Sequence, residues 1–391
     1  MYPASNGDAF LLRSTGAEKT AILIDGGFGK TFHEFIKPDL SDLVRSGYSL
    51  DLVIASHIDE DHVVGLLEFF KFNGNSATPA LIPVGTVWHN SVRGLSAPAT
   101  VTDKGDLSIL TTAAGSGYPA TSGASGIKEV SAAQGSSLAA LLLAGQYHWN
   151  DGDGCSCIVT DVAAASRNFG AARVDLLGPQ RVRLTELESW WKSQLRKKGF
   201  SGKIGAGKFF DDAFEFLSAR ADLLTRMAPR IKEISSSTAP VELADSYSPD
   251  KSITNASSIS VSITMDEKSI LFLGDSLAED LVDVLKRRAV PGEKLWFDAV
   301  KISHHGSVHN TSPELLALID SDTYFISGNG DKHHHPDFPV LKAIVDRAAS
   351  FERSLYFNYS TPASRQLQNY RSEAGAGFKV HEGSTDWLTL L

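Results

Sequence analysis

Four side chains able to hold a metal ion fall within six positions: His57, Asp59, Asp61 and His62, in the segment Ser56-His57-Ile58-Asp59-Glu60-Asp61-His62. Imidazole and carboxylate donors suit zinc, manganese or iron. Residues two apart at the end of an extended segment point the same way, so His57 and Asp59 can share one ion. Asp61 and His62 lie on the following turn and can serve a second ion a few ångströms away. The competing reading is a solvated charged turn entering a helix, with Asp59 or Asp61 as its N-cap.

Later segments repeat the pattern. Asp275 follows the apolar run 270–273 and precedes a helical pattern, where capping is again the plain alternative. His304 and His305 stand where a strand gives way to Gly306, and two adjacent histidines there have little packing value. His333, His334 and His335, before Pro336, follow another strand end, although exposed loop residues would look the same. Three strand ends beyond the first cluster thus carry potential ligands.

The elements that must position these groups alternate between strand and helix. Residues 9–13 and 20–25 read as strands, the second ending in Asp25-Gly26-Gly27. Apolar residues at helical spacing over 30–45 predict a helix broken or kinked near Pro38. The apolar run 50–55 predicts a buried strand leading straight into the His/Asp cluster, with a helix over 63–72 behind it. That order puts the cluster at the carboxyl end of a strand, where α/β proteins commonly build sites. Residues 73–137 read as short strands and loops, and 173–177 as a strand. Residues 185–198 and 209–232 read as amphipathic helices, and 235–254 as a linker. A hairpin follows over 258–264 and 269–273, then helix 277–288, strand 299–302, helix 313–319, strand 323–326 and helix 338–349. Residues 355–357 and 387–390 read as closing strands.

The chain has 391 residues, 42% of them hydrophobic, and a net charge of −9, which argues against a dedicated nucleic-acid binder. The charge is uneven. Between Gln180 and Lys232, twelve Lys and Arg stand against six Asp and Glu, so that stretch is +6 and the rest −15. The first residues show no basic run followed by an apolar stretch, no segment is apolar enough to span a bilayer, and Cys155 and Cys157 read as reduced thiols. A cytoplasmic location with no membrane partner is expected.

The motifs together resemble metallo-β-lactamase-fold hydrolases. The carrying residues are His57 to Gly65 as HxDxDH plus an apolar Gly-containing helix, Gly7-Asp8, IDGG at 24–27, and LLGP at 176–179. LFLGDS at 271–276, VKISHHGS at 300–307 and SGN…HP at 327–336 continue the order. The branch that looks most similar is the hydrolase domain of DNA-uptake competence channels. The resemblance implies one domain over 1–391, a four-layer αββα sandwich, with a helical, basic insertion at 180–250. It implies two divalent ions, zinc first and manganese second. His57 and Asp59 would hold the first ion, and Asp61 and His62 the second. Asp275 would bridge both, and His335 would complete the ligands of the second ion. His304, with His305 beside it, would stand by the leaving group. Many relatives carry a further histidine where this chain has Thr254-Asn255-Ala256-Ser257-Ser258, and His148 is the isolated upstream histidine in reach of that role.

A metal-activated hydroxide, oriented by Asp61 or Asp59, would be the nucleophile, with protonated His304 as acid. Three functions follow: a phosphodiesterase or nuclease, a hydrolase of a small ester, lactone or thioester, and a metal-binding interaction module in a larger assembly. The basic stretch favours the first, because Trp190 and Trp191 beside Arg196, Lys197 and Lys198 can stack on bases and track phosphates of a nucleic acid or nucleotide-type phosphodiester. The same insertion would otherwise cover the core or bind a protein partner.

Overall fold

A computed structural model describes residues 1–95, 122–123, 126–127, 138–161, 166–197, 242–383 and 386–390. Two sheets dominate these residues. The first runs β1 (Phe10–Arg13), β2 (Ala21–Ile24), β3 (Leu50–Ile54) and β4 (Val84–Trp88), in that spatial order. β1 is antiparallel to β2, and β2, β3 and β4 are parallel. The second sheet has eight strands: β5 (Ser166–Phe169), β6 (Ala172–Gly178), β7 (Ser260–Met265), β8 (Lys268–Phe272), β9 (Ala299–Lys301), β10 (Thr323–Ile326), β11 (Arg353–Phe357) and β12 (Phe378–Glu382). Their spatial order is β12-β11-β10-β9-β8-β7-β6-β5, and β8 through β12 are mutually parallel.

Side-chain alternation along the strands explains how the sheets stack. Phe10, Leu12, Ile22, Ile24, Leu52 and Ile54 face Val174, Leu176, Val261, Ile263 and Phe272 across the gap between the sheets. The opposite face of the first sheet buries Leu11, Leu23 and Val53 against Phe32, Leu40, Leu66 and Phe69 from its helices. The far face of the second sheet buries Leu271, Tyr324, Ile326 and Leu355 against Leu281, Leu285, Leu341 and Ile344. Three apolar layers thus separate helix, sheet, sheet and helix, which is the αββα order.

Several elements differ from the sequence expectation. The helix before β3 is not broken at Pro38: a π-helical stretch, Phe32–Ile36, runs into Lys37–Arg45. The wider turn places Pro38, which has no N–H, at the start of the following α-helical segment, where none is needed. The short helix Pro362–Gln368 was not foreseen, although Thr361 and Ser364 form a capping box at its start. The expected closing strand 387–390 is absent, and the sheet ends instead on Phe378–Glu382. Phe378–Glu382 carries Lys, His and Glu on an edge strand, so it lacks an apolar run to betray it. Trp387 lies under the Arg13 guanidinium at 4.4 Å.

Of the basic insertion, the helix Arg181–Lys197 is described. It buries Leu184 and Leu187, and Arg183 is paired to Asp280 on helix Ala278–Lys286. The expected helix 209–232 lies outside the described residues. The linker contains two short helices, Leu243–Ser246 and Ile253–Ala256. Cys155 and Cys157 are free thiols. No helix among the described residues is long and apolar enough to cross a membrane.

Candidate metal centre

The carboxyl ends of β2, β3, β8, β9 and β10 meet at one end of the gap between the sheets. Asp25 follows β2, Ser56 and His57 follow β3, Asp275 follows β8, His304 and His305 follow β9, and Ser327 follows β10. Two close backbone approaches bring the helix Glu60–Asn73 to this point. A Cβ on Gly65 would lie 1.9 Å from the Gly26 carbonyl oxygen, and one on Gly7 would lie 1.8 Å from the carbonyl oxygen of Asp61. Glycine is therefore required at both places.

Asp59 is the N-cap residue of that helix by position, yet its carboxylate caps nothing. It turns to the His57 Nε2 at 3.6 Å and accepts from Thr254 Oγ1 at 3.3 Å. The N-cap position of the helix after Asp275 falls two residues later, at Leu277, so Asp275 is not a cap either. Its Oδ2 lies 3.8 Å from His57 Nε2, 3.5 Å from His62 Nε2, 3.8 Å from His304 Nε2 and 3.9 Å from His305 Nε2. Four imidazoles thus surround one carboxylate oxygen.

The hydrogen-bond partners decide which ring nitrogens are bare. Ser56 Oγ donates its one hydrogen to Asp25 Oδ2 at 2.7 Å, so toward His57 Nδ1, 3.1 Å away, it accepts. His62 Nδ1 lies 2.8 Å from the same Asp25 oxygen and donates to it. Ser327 Oγ donates to Asp8 Oδ1 and therefore accepts from His305 Nδ1 at 2.9 Å. All three rings place the hydrogen on Nδ1 and leave Nε2 facing inward. His57 Nε2, His62 Nε2 and His305 Nε2 are buried and have no hydrogen-bond partner among the described residues. Each such orphan costs roughly 1–3 kcal/mol, and a cation would remove the cost of all three at once.

Two overlapping sets have ligand atoms within 4.8 Å of one another: His57, His62 and Asp275, and Asp61, His62 and His305. A third, Asp8, Asp25 and His62, stands behind them. Burial and neighbours set the charges. Burial opposes charge on His62, but Asp275 and Asp25 outweigh it and raise its pKa well above 6.5. Burial and His62 lower the His57 value, and Asp59 and Asp275 bring it above the usual range. Asp275 is buried, yet His304, His62 and His305 hold it well below the usual carboxylate range. Asp61 is lowered by His62, His305 and Lys332 against its burial.

Residues 2–78 match the metallo-beta-lactamase superfamily. The match ends within the first sheet and its helices, and it contains Asp8, Asp25 and the whole His57–His62 cluster. No curated protein matches the chain. The superfamily match and the His/Asp sets together indicate a metal-dependent hydrolase.

His57, Asp59, Asp61, His62 and Asp275 therefore lie together. His335 stands one layer out: its Nδ1 faces Asp337 Oδ2 at 3.1 Å, and its ring lies 5.2 Å from His304 and 6.0 Å from His333. The structure seats His305, not His335, with Asp61 and His62. In the turn after β9, His304 and His305 both adopt left-handed backbone, with φ of 44° and 55°, and both rings reach Asp275. His304 is the one more open to solvent, and its Nδ1 faces Asn310 Oδ1 at 2.8 Å. Asn255 donates to Asp250 at 2.7 Å, and His148 pairs with Thr86.

Asp25, Ser56, Asp8, Asn6, Lys301, Ser327 and Asn310 were not foreseen as site residues. Asn6 Nδ2 holds Asp61 Oδ2 at 2.6 Å. Asp8 and Asp25 each sit in a motif that carries the resemblance, Gly7-Asp8 and IDGG at 24–27, with no role of their own assigned there. Of the tentative nucleic-acid residues, Trp190 is half-buried. Trp191, Arg196 and Lys197 belong to the same helix, while Lys198 lies outside the described residues.

Proposed function

We propose that this chain hydrolyses phosphodiesters at a site for two divalent cations, with a nucleic acid or nucleotide-type substrate. The observation that carries the metal reading is the convergence of three bare Nε2 atoms, of His57, His62 and His305, on Asp275. His57, Asp59 and Asp275 would hold one cation, and Asp61, His62 and His305 the other, with Asp275 between them. Zinc fits this imidazole and carboxylate donor set first, and manganese second. Bound divalent cations acidify water to near-neutral pKa and offset charge on a phosphoryl oxygen.

The chain's own groups supply the rest. Asn310 Nδ2 donates to Asp250 Oδ2 at 3.0 Å, which turns its Oδ1 toward His304 and keeps a hydrogen on His304 Nδ1. His304 Nε2, 3.8 Å from Asp275 Oδ2 on the more exposed of the two imidazoles, is the nitrogen that would pass a hydrogen to the leaving oxygen. Desolvation of the half-buried His335 beside it lowers that imidazole's pKa, against the pull of Asp337. The substrate class rests on the HHGS and HP resemblance to competence-channel hydrolase domains and on the +6 stretch. The test is turnover of DNA, RNA, a bis-aryl phosphodiester and a lactone, each with Zn²⁺, Mn²⁺ or Mg²⁺. Cleavage of the lactone with none of the phosphodiesters would replace this substrate class with a small ester.

A further inference from the structure

We propose that Asp8, with Lys301 as its counter-ion, is a positioning residue that makes His305 a nitrogen ligand and the Asp61–His62–His305 set the tighter of the two cation positions. The inference rests on the metal reading above and adds to it a ranking of the two positions. Asp8 is 2% exposed and Lys301 1% exposed, so this is a charge pair set fully inside the protein. Lys301 Nζ is ion-paired to Asp8 Oδ2, donates to the Gly274 carbonyl oxygen at 3.0 Å, and lies 3.7 Å from Asp275 Oδ1. A lysine buried this deeply is costly unless its partners are exact. What it secures is the other oxygen of Asp8.

That oxygen, Oδ1, takes the Ser327 hydroxyl and lies 3.2 Å from His305 Nδ1. The His305 ring is thereby held with Nδ1–H outward and Nε2 toward Asp61 and His62. His62 has the same kind of support from Asp25. His62 donates to the Asp25 carboxylate, and His305 has the Asp8 carboxylate oxygen at 3.2 Å beside the Ser327 hydroxyl that takes its hydrogen, which raises their basicity as ligands. The other position is more weakly built. His57 is backed by a serine hydroxyl, and Asp59 is 22% exposed and shared with Thr254. Lys301, the last residue of β9, thus serves the site from behind.

The experiment is titration of the metal-free full chain with Co²⁺, read by calorimetry and by the visible absorption of the bound ion. The wild type should bind in two classes. Asp8→Asn should weaken the tighter class about ten- to a hundredfold and change its absorption, leaving the weaker class in place. Asp59→Asn should do the reverse. Because Asp8→Asn strands a buried lysine, two further variants guard against misfolding: Ser327→Ala, and the charge-neutral pair Asp8→Asn/Lys301→Met. Both should weaken the same class. If these variants fold and bind Co²⁺ with wild-type affinity and spectrum, or lose both classes equally, the proposal is overturned. If the wild type binds no Co²⁺, the metal reading itself fails, a result distinct from either.

Discussion

Ser56 sets the state of two histidines at once, because its single hydrogen goes to Asp25 and its lone pair to His57. Asp25 in turn holds His62. Asp25→Asn can present its amide nitrogen to His62 and so reverse that bond; metal affinity should fall about ten- to a hundredfold with the far-ultraviolet circular dichroism unchanged. Unchanged affinity by calorimetry would mean that Asp25 serves only the turn. His304 and His335 separate in a different measurement. His304→Ala should retain metal and lose rate, most of all for substrates with poor leaving groups, and His335→Ala should alter metal content less than His305→Ala. Equal metal loss in His304→Ala and His305→Ala would show that the two roles are not divided as drawn. The raised pKa of His62 also has a sign. Its charged form stabilises the metal-free protein fully below about 6.5 and is lost as pH rises through the higher folded value. A bound cation needs the neutral ring. The gain in Tm on adding saturating Zn²⁺ should therefore grow between about pH 6 and about pH 8, and a gain that shrank over that range would contradict the ligand role of His62.

At the scale of elements, the helix Glu60–Asn73 delivers Asp61 and His62 only because it lies against the turn after β2. Gly65→Ala would force a carbon into the Gly26 carbonyl. We expect a loss of about 1–3 kcal/mol in urea denaturation, together with reduced metal content, since the ligands move with the helix. Loss of stability with metal content intact would locate the ligands elsewhere. The hairpin β7–β8 ties the two sheets: Asp266 Oδ2 accepts from the amides of Thr15 and Gly16 at 2.5 and 3.2 Å. The helix Arg181–Lys197 is anchored by Leu184, Leu187 and the Arg183–Asp280 pair, so its first half belongs to the core packing. Its far end is where a polyanion would be gripped. Changing Arg196, Lys197 and Lys198 to Ala should weaken nucleic-acid binding and flatten its salt dependence, while turnover of a small phosphodiester barely changes. Normal binding by that variant would leave the stretch as a cover or a protein-partner surface.

At the scale of the whole molecule, the site is a seam. Asp8, Asp25, His57, Asp61 and His62 come from the first sheet and its connections, and Asp275, Lys301, His304, His305 and Ser327 from the second. A cation held between them links the two halves, so it binds the folded chain and not the unfolded one. Saturation at a hundred times the dissociation constant adds about 2.7 kcal/mol. Removing metal with a chelator should lower Tm in one cooperative transition, reversed by Zn²⁺ or Mn²⁺. A Tm indifferent to chelation would argue against a cation at the seam.

Much of this was readable before any coordinates. The run 50–55 leading into His57 marks a buried strand with a His/Asp cluster at its end, because strand hydrophobicity and side-chain spacing are both local properties. The same held for Asp275 and His304-His305 after their strands. What tertiary structure decided is which histidine joins which set. The resemblance gives His335 to the second ion, whereas the structure groups His305 with Asp61 and His62. The expected strand 387–390 failed for the reverse reason: apolar residues signalled a strand, but pairing partners lie elsewhere, and β12 was formed by a polar edge segment. The supporting groups were hidden as well, since Asp8 and His305 are 297 positions apart in the chain. Ligand chemistry is written in short spacings, whereas the proton on each imidazole is placed by residues that meet only when two sheets close on each other.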